Sequence, residues 1–127
     1  MMKCICAAFS LFFLCANSAH AQEVVVGAHY FEQTVPIGTT VMVSPSSNVN
    51  GLSLKTANIS TSQNQLAYIQ ADFPDGTHRA ILFANSNTGG SNFANLPYAL
   101  YLPTGIGLSA VYGPSSAGTV AITYDLH

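Results

Sequence analysis

Asp72, Asp75 and His78 fall within seven residues as D-x-x-D-G-T-H. Two carboxylates and an imidazole so closely spaced are the donor set for a divalent cation, or for general acid and base work in a metal-assisted hydrolase. The same stretch also reads as turn chemistry. Pro74 presets φ, Asp75 is a favoured turn residue, and Gly76 accepts the positive φ that closes a hairpin. In that reading Asp72 faces His78 or Arg79 across two strands, a pair worth about 0.2–1 kcal/mol. The turn account needs fewer coincidences, so no metal or cofactor is expected, with Asp72, Asp75 and His78 as the only metal candidates.

Other catalytic patterns fail on spacing. His29 and His127 have no partner at the short fixed intervals of zinc sites. Gly107-Leu108-Ser109-Ala110-Val111 lacks the closing glycine of a nucleophile elbow, and Gly89-Gly90 has no lysine or following helix to make a phosphate cradle. The remaining chemistry is stacking. Tyr98 and Tyr101 lie beside an Asn-rich loop, residues 85–95, in which Asn87 and Asn92 could hydrogen-bond sugar hydroxyls. Strand parity places the two tyrosines on opposite faces, with one exposed. The alternative is that one ring is core and the other shields a sheet edge.

These residues must be positioned by an exported domain. Lys3, the apolar run from Ile5 to about Ala16, and the small-residue signature Ala19-His20-Ala21 read as a secretory signal peptide over residues 1–21. The run is too short to span a bilayer, which needs roughly 20 apolar residues. Cys4, Cys6 and Cys15 all lie in this leader, and Phe13 and Leu14 are too bulky for lipid attachment at Cys15. Residues 22–127 then form one cysteine-free domain in the periplasm or outside the cell, with no membrane insertion after cleavage. The leader reads as bacterial; in a eukaryote, Asn58-Ile59-Ser60 would be a glycosylation acceptor.

Only 6% of residues are charged, against about a quarter in ordinary domains. Beyond the leader, Lys55 and Arg79 stand alone against Glu23, Glu32, Asp72, Asp75 and Asp125. Two cations cannot neutralise the phosphates that hold a protein on nucleic acid, nor bind an anionic membrane. The polar surface comes from Ser, Thr, Asn and Gln instead.

Gly and Pro cluster at intervals, and between the clusters lie short runs rich in Val, Ile, Thr, Tyr and Phe. No helical period appears. The spacing predicts eight strands, near 23–34, 39–44, 51–60, 65–73, 77–85, 98–102, 106–112 and 119–126, in an all-β, two-sheet antiparallel sandwich resembling a jelly roll. Val120, Ile122, Tyr124 and Leu126 fall on one face of the last strand, and Thr119, Ala121, Thr123 and Asp125 on the other. In 51–60 the apolar phase slips between Leu54 and Ala57, which predicts a bulge near Lys55–Thr56. The hairpin around Pro74-Asp75-Gly76 has two registers. One pairs Asp72 with His78 and puts Ala67, Ile69, Ala71, Phe73, Ile81 and Phe83 on one side. The other faces Asp72 with Arg79 and Tyr68 with Phe83. The first gives the cleaner apolar face.

The terminal run Thr119-Val120-Ala121-Ile122-Thr123-Tyr124 resembles the last strand of chaperone-assembled pilus subunits, and Leu96 to Leu126 is similar in style to jelly-roll head domains of fibre and virion proteins. Likeness at the level of fold leaves the function open. An open sandwich exposes strand edges that proteins usually guard with lysine, proline or inward charge. Here the segment Glu23-Val24-Val25-Val26 and the C-terminal strand have almost no guard, so self-association through a strand edge is expected. The leading expectation is a non-enzymatic binding or assembly module with a possible glycan or cell-surface partner. The alternatives are a carbohydrate- or small-ligand-binding domain and the metal-assisted hydrolase.

Overall fold

A computed structural model of the protein describes residues 24–62, 65–86, 92–114 and 117–127. Residues 1–23, which include the three cysteines and the expected leader, and Asn87 with Gly89-Gly90 lie outside the described residues. Among the described residues nine strands run in order: β1 (His29–Val35), β2 (Gly38–Val43), β3 (Leu52–Thr61), β4 (Leu66–Asp72), β5 (His78–Asn85), β6 (Asn92–Asn95), β7 (Leu100–Leu102), β8 (Gly107–Tyr112) and β9 (Gly118–Leu126). A 3-10 turn at Pro45–Ser47 is capped by the Ser44 side chain, which accepts from the Ser47 N–H at 3.2 Å.

Pairing follows the pattern of a long hairpin rolled upon itself. β4 pairs with β5 at the tip, then β3 with β6 and β7, β2 with β8, and β1 with β9, all antiparallel. Two further pairings, β3 with β9 and β4 with β8, close the roll into sheets ordered β1-β9-β3-β6 and β2-β8-β4-β5. This is jelly-roll topology. Eight strands were expected and nine are present, because one strand position is divided. β6 and β7 both lie along the same side of β3, interrupted at Leu96–Ala99, where Pro97 has no N–H to give a ladder. The expectation of a single strand at 98–102 had missed β6.

The core lies between the sheets, where Leu52, Leu54, Ile59, Ile69, Leu108, Val120 and Ile122 are fully buried. The bulge expected near Lys55 is present: Leu54 pairs with Tyr124 but Thr56 pairs with Thr123, so Ala57 and Ile59 return to the inner face. The β4–β5 hairpin uses both registers considered above. Next to the turn Asp72 faces His78, and the Gly76 N–H closes on the Phe73 carbonyl at 3.0 Å with Gly76 at φ 82°. Past Gln70 the register slips by one, Ile69 facing Leu82 and Ala67 facing Ala84. A one-residue slip turns every later side chain over. Leu82 and Ala84 therefore enter the core, Ile81 at the bulge packs against it half-buried, and Phe83 is 56% exposed beside Tyr68.

Two other expectations are corrected. The first strand begins at His29, not near 23. The preceding residues cross the outer face of the first sheet, tied by side chains in place of a ladder: the Gly27 N–H donates to Thr123 Oγ1 at 3.2 Å and the Ala28 N–H to Asp125 Oδ1 at 2.7 Å. A Cβ on Gly27 would meet the Tyr124 backbone at 2.7 Å or closer, so only glycine allows this crossing. The C-terminal strand is also no edge, since β9 lies between β1 and β3.

The Ala28 N–H, and after it the Lys55 ammonium 3.5 Å away, hold the Asp125 carboxyl below its ordinary value of 3.8. A lowered folded value means the tether is at full strength above 3.8 and is lost as pH falls through the folded value. Amide exchange should show Ala28 protection falling on acidification, and already low at neutral pH in Asp125→Asn. Urea unfolding should show Leu54→Ala costing about 2–5 kcal/mol and Phe83→Ala under about 1 kcal/mol, since only Leu54 fills the core.

Candidate functional site

The outward phase of the second sheet gathers polar side chains that are far apart in sequence. On β4 the outward residues are Tyr68, Gln70 and Asp72; β8 contributes Ser109 and Val111, and β2 contributes Thr39 and Val41. Register brings Gln70 opposite Ser109 and Tyr68 opposite Val111, while Val41 and Thr39 flank the same two β8 residues from the other side. Pro45, Phe73 and His78 complete the surround of a depression of about 550 Å³.

Its floor is unusually well covered for an outer sheet face: Ser109, Gln70 and Asp72 are only 2%, 8% and 9% exposed. Asp72 is the hub. Its Oδ2 accepts from the Ser109 hydroxyl, and its Oδ1 accepts from Gln70 Nε2 at 2.8 Å and from His78 Nδ1 at 2.8 Å. Three donors on one carboxylate are what lets a charge sit under cover, because a buried ion without them costs several kcal/mol. The order of contacts matters chemically. Asp72 stands between Ser109 and His78, so the serine proton points at the carboxylate and not at the imidazole, the reverse of a nucleophile relay.

Of the metal candidates, Asp72 and His78 come together but Asp75 does not. Asp75 Oδ1 accepts from the Thr77 hydroxyl at 2.6 Å and the Thr77 N–H at 2.9 Å, and these bonds, the hydroxyl first, lower its carboxyl below the ordinary range. Among the described residues no three His, Cys, Asp or Glu side chains converge. His29 stacks on Tyr124 at 5.2 Å, and His127 Nε2 lies 2.7 Å from Ser53 Oγ.

The tyrosine site is dispersed. One exposed ring was expected, yet both are exposed, Tyr98 at 70% and Tyr101 at 57%. The parity argument fails because Tyr98 precedes β7 in the Pro97 interruption, where no strand alternation holds. Tyr98 lines a second depression of about 340 Å³ on the other sheet, with Val24, Val25, Lys55 and Leu96, whereas Tyr101 packs 6.0 Å from His127. Asn92 is occupied structurally: its Nδ2 donates to the Asn85 carbonyl and its Oδ1 accepts from the Phe93 N–H, tying β6 to the end of β5. Asn87 lies outside the described residues.

Two buried groups stand apart from these sites. Burial pushes the Tyr112 hydroxyl up to about 12 and leaves it without a hydrogen-bond partner. Asn48 Nδ2 donates to the Pro103 and Ile106 carbonyls at 2.8 and 2.9 Å, pinning the loop before β8. No helix among the described residues is long and apolar enough to cross a membrane. No protein-family model matches the chain, and no curated protein does either.

Sequence reasoning missed Gln70, Ser109 and Tyr68. Their outward phase was legible on each strand, but that β8 lies beside β4 was not. Removing the hub should expose its cost: Asp72→Ala strands the Gln70 amide and Ser109 hydroxyl under cover and should lower stability by about 1–3 kcal/mol in urea unfolding. His78→Ala, at the exposed end of the same network, should cost under about 1 kcal/mol.

Proposed function

We propose that the protein is an exported, non-enzymatic β-sandwich that serves as an assembly module, joining copies of itself along β1. The leader and the cysteine-free domain after it support export. The Asp72 hub supports a role other than catalysis, since Ser109 and His78 both spend their contacts on the carboxylate.

The observation that carries the assembly reading is a contrast among the edges of the two sheets. β2 has a register break at Met42, between Val41 and Val43. β5 opens with His78 and Arg79 and is bulged at Ile81. The β6–β7 edge is interrupted around Pro97. Each of these devices discourages a strand from adding. β1 has none: it pairs with β9 over seven consecutive residues without a shift, and His-Tyr-Phe-Glu-Gln-Thr-Val contains no Lys, Arg or Pro. A regular edge with one acidic residue, Glu32, is a template for another strand. Tyr30 on that strand and Ile37 just beyond it are exposed and supply apolar surface for a second copy.

The carbohydrate reading built on Tyr98, Tyr101 and Asn92 has less support, because the depression that Tyr98 lines includes neither Tyr101 nor Asn92 and the Asn92 amide is spent on β5 and β6. The hydrolase reading is weakened by Asp75, which turns to Thr77.

Sedimentation equilibrium of the processed protein should show reversible association, and the double variant Tyr30→Lys with Thr34→Lys, which guards β1, should be monomeric with an unchanged circular dichroism spectrum. A wild-type protein that remains monomeric up to roughly 1 mM would sink the proposal.

A further inference from the structure

We propose that the depression on the outer face of the second sheet is a binding site for a neutral polyhydroxylated ligand, a pyranose sugar, seated on Tyr68 and Phe73 with hydroxyls on Gln70 and His78. This goes beyond the assembly reading and is independent of it, since β1 belongs to the other sheet.

The floor supplies the first argument. Gln70 is more than nine-tenths buried and its Nε2 is committed to Asp72, but no described residue donates to its Oε1, which is not sealed from the depression. A covered amide carbonyl in that position calls for a donor from whatever occupies the space above it. His78 adds a second polar contact at the rim. Its Nδ1 is fixed by Asp72, which leaves Nε2 to donate or accept from the exposed side of the ring.

The walls supply the second. Tyr68 is half-buried, with its ring held 6.0 Å from that of Phe83. Phe73 is held by the Arg79 guanidinium 5.8 Å from its centroid. Rings fixed before a ligand arrives lose little freedom on binding. The C–H face of a pyranose matches such rings, and its hydroxyls match a carbonyl and an imidazole; a site combining an apolar wall with a few placed polar groups is the usual form of a small-ligand site.

Electrostatics narrow the class. No Lys or Arg lines the depression, and the Asp72 carboxylate beneath it repels an anion. A metal ion would find one carboxylate, already holding three hydrogen bonds. An organic cation could use Asp72 only by displacing Gln70, Ser109 or His78, so a neutral hydroxyl-bearing molecule fits best.

The test is a titration of the isotope-labelled protein followed by amide NMR, with glucose, galactose, mannose and N-acetylglucosamine as probes and choline and acetate as charged comparators. At least one sugar should give saturable shifts on β2, β4 and β8. Tyr68→Ala and Gln70→Leu should weaken that binding by at least about tenfold. His78→Ala, at the exposed rim, should weaken it by a smaller factor and keeps the test decisive if Gln70→Leu does not fold. Tyr98→Ala and the β1 lysine variant should bind as wild type does. The proposal is overturned if no sugar gives saturable shifts up to roughly 100 mM, if choline or acetate binds more tightly than every sugar, or if the shifts lie around Tyr98 and Tyr101. None of these results bears on association through β1.

Discussion

A β-strand can bury only alternate side chains, and in this protein every inner face must be apolar at once if two cysteine-free sheets are to close on each other. That demand explains the irregularities. The bulge at Lys55 restores phase after Leu54, so that Leu52, Leu54, Ala57 and Ile59 all reach the interior from one strand. The slip at Ile81 does the same for β5, delivering Leu82 and Ala84. Without these two shifts, half of β3 and half of β5 would present the wrong face.

The outer faces are governed by a different constraint. With few charged side chains available, the protein covers its sheets with Ser, Thr, Asn and Gln, and it places a carboxylate, Asp72, under cover only where three donors meet it. The same arrangement links β4 to β5 and β8 across the second sheet. On the first sheet, Asp125 has a comparable role at the surface, receiving the Ala28 N–H and facing Lys55. In each case an acid is used to fix backbone or neighbouring strands.

Rolling the chain leaves four edge positions, and their treatment is uneven. Bulges, an arginine and a proline interrupt three of them, while β1 stays regular. The N-terminal segment could have extended that edge but crosses β9 instead, held by Thr123 and Asp125. The regular edge thus lies on one sheet and the polar-floored depression on the other.

Much of this was legible in the chain. Gly and Pro spacing with β-branched runs marked the strands, the slipped phase at Leu54 marked a bulge, and Pro74-Asp75-Gly76 marked a hairpin that brings Asp72 to His78, because these are consequences of local backbone geometry and alternation. Alternation also sets Gln70 out of phase with Ile69 and Ala71, and Ser109 out of phase with Leu108 and Ala110. What parity could not supply was adjacency: that β8 lies against β4, that β9 is central and not an edge, and that the slip at Ile81 swaps Phe83 for Leu82. Those depend on which strands pair across long stretches of chain, and strand pairing is chosen by the fit of whole faces in the core. Local sequence determined what each strand could offer; only the closed roll decided which offers would meet.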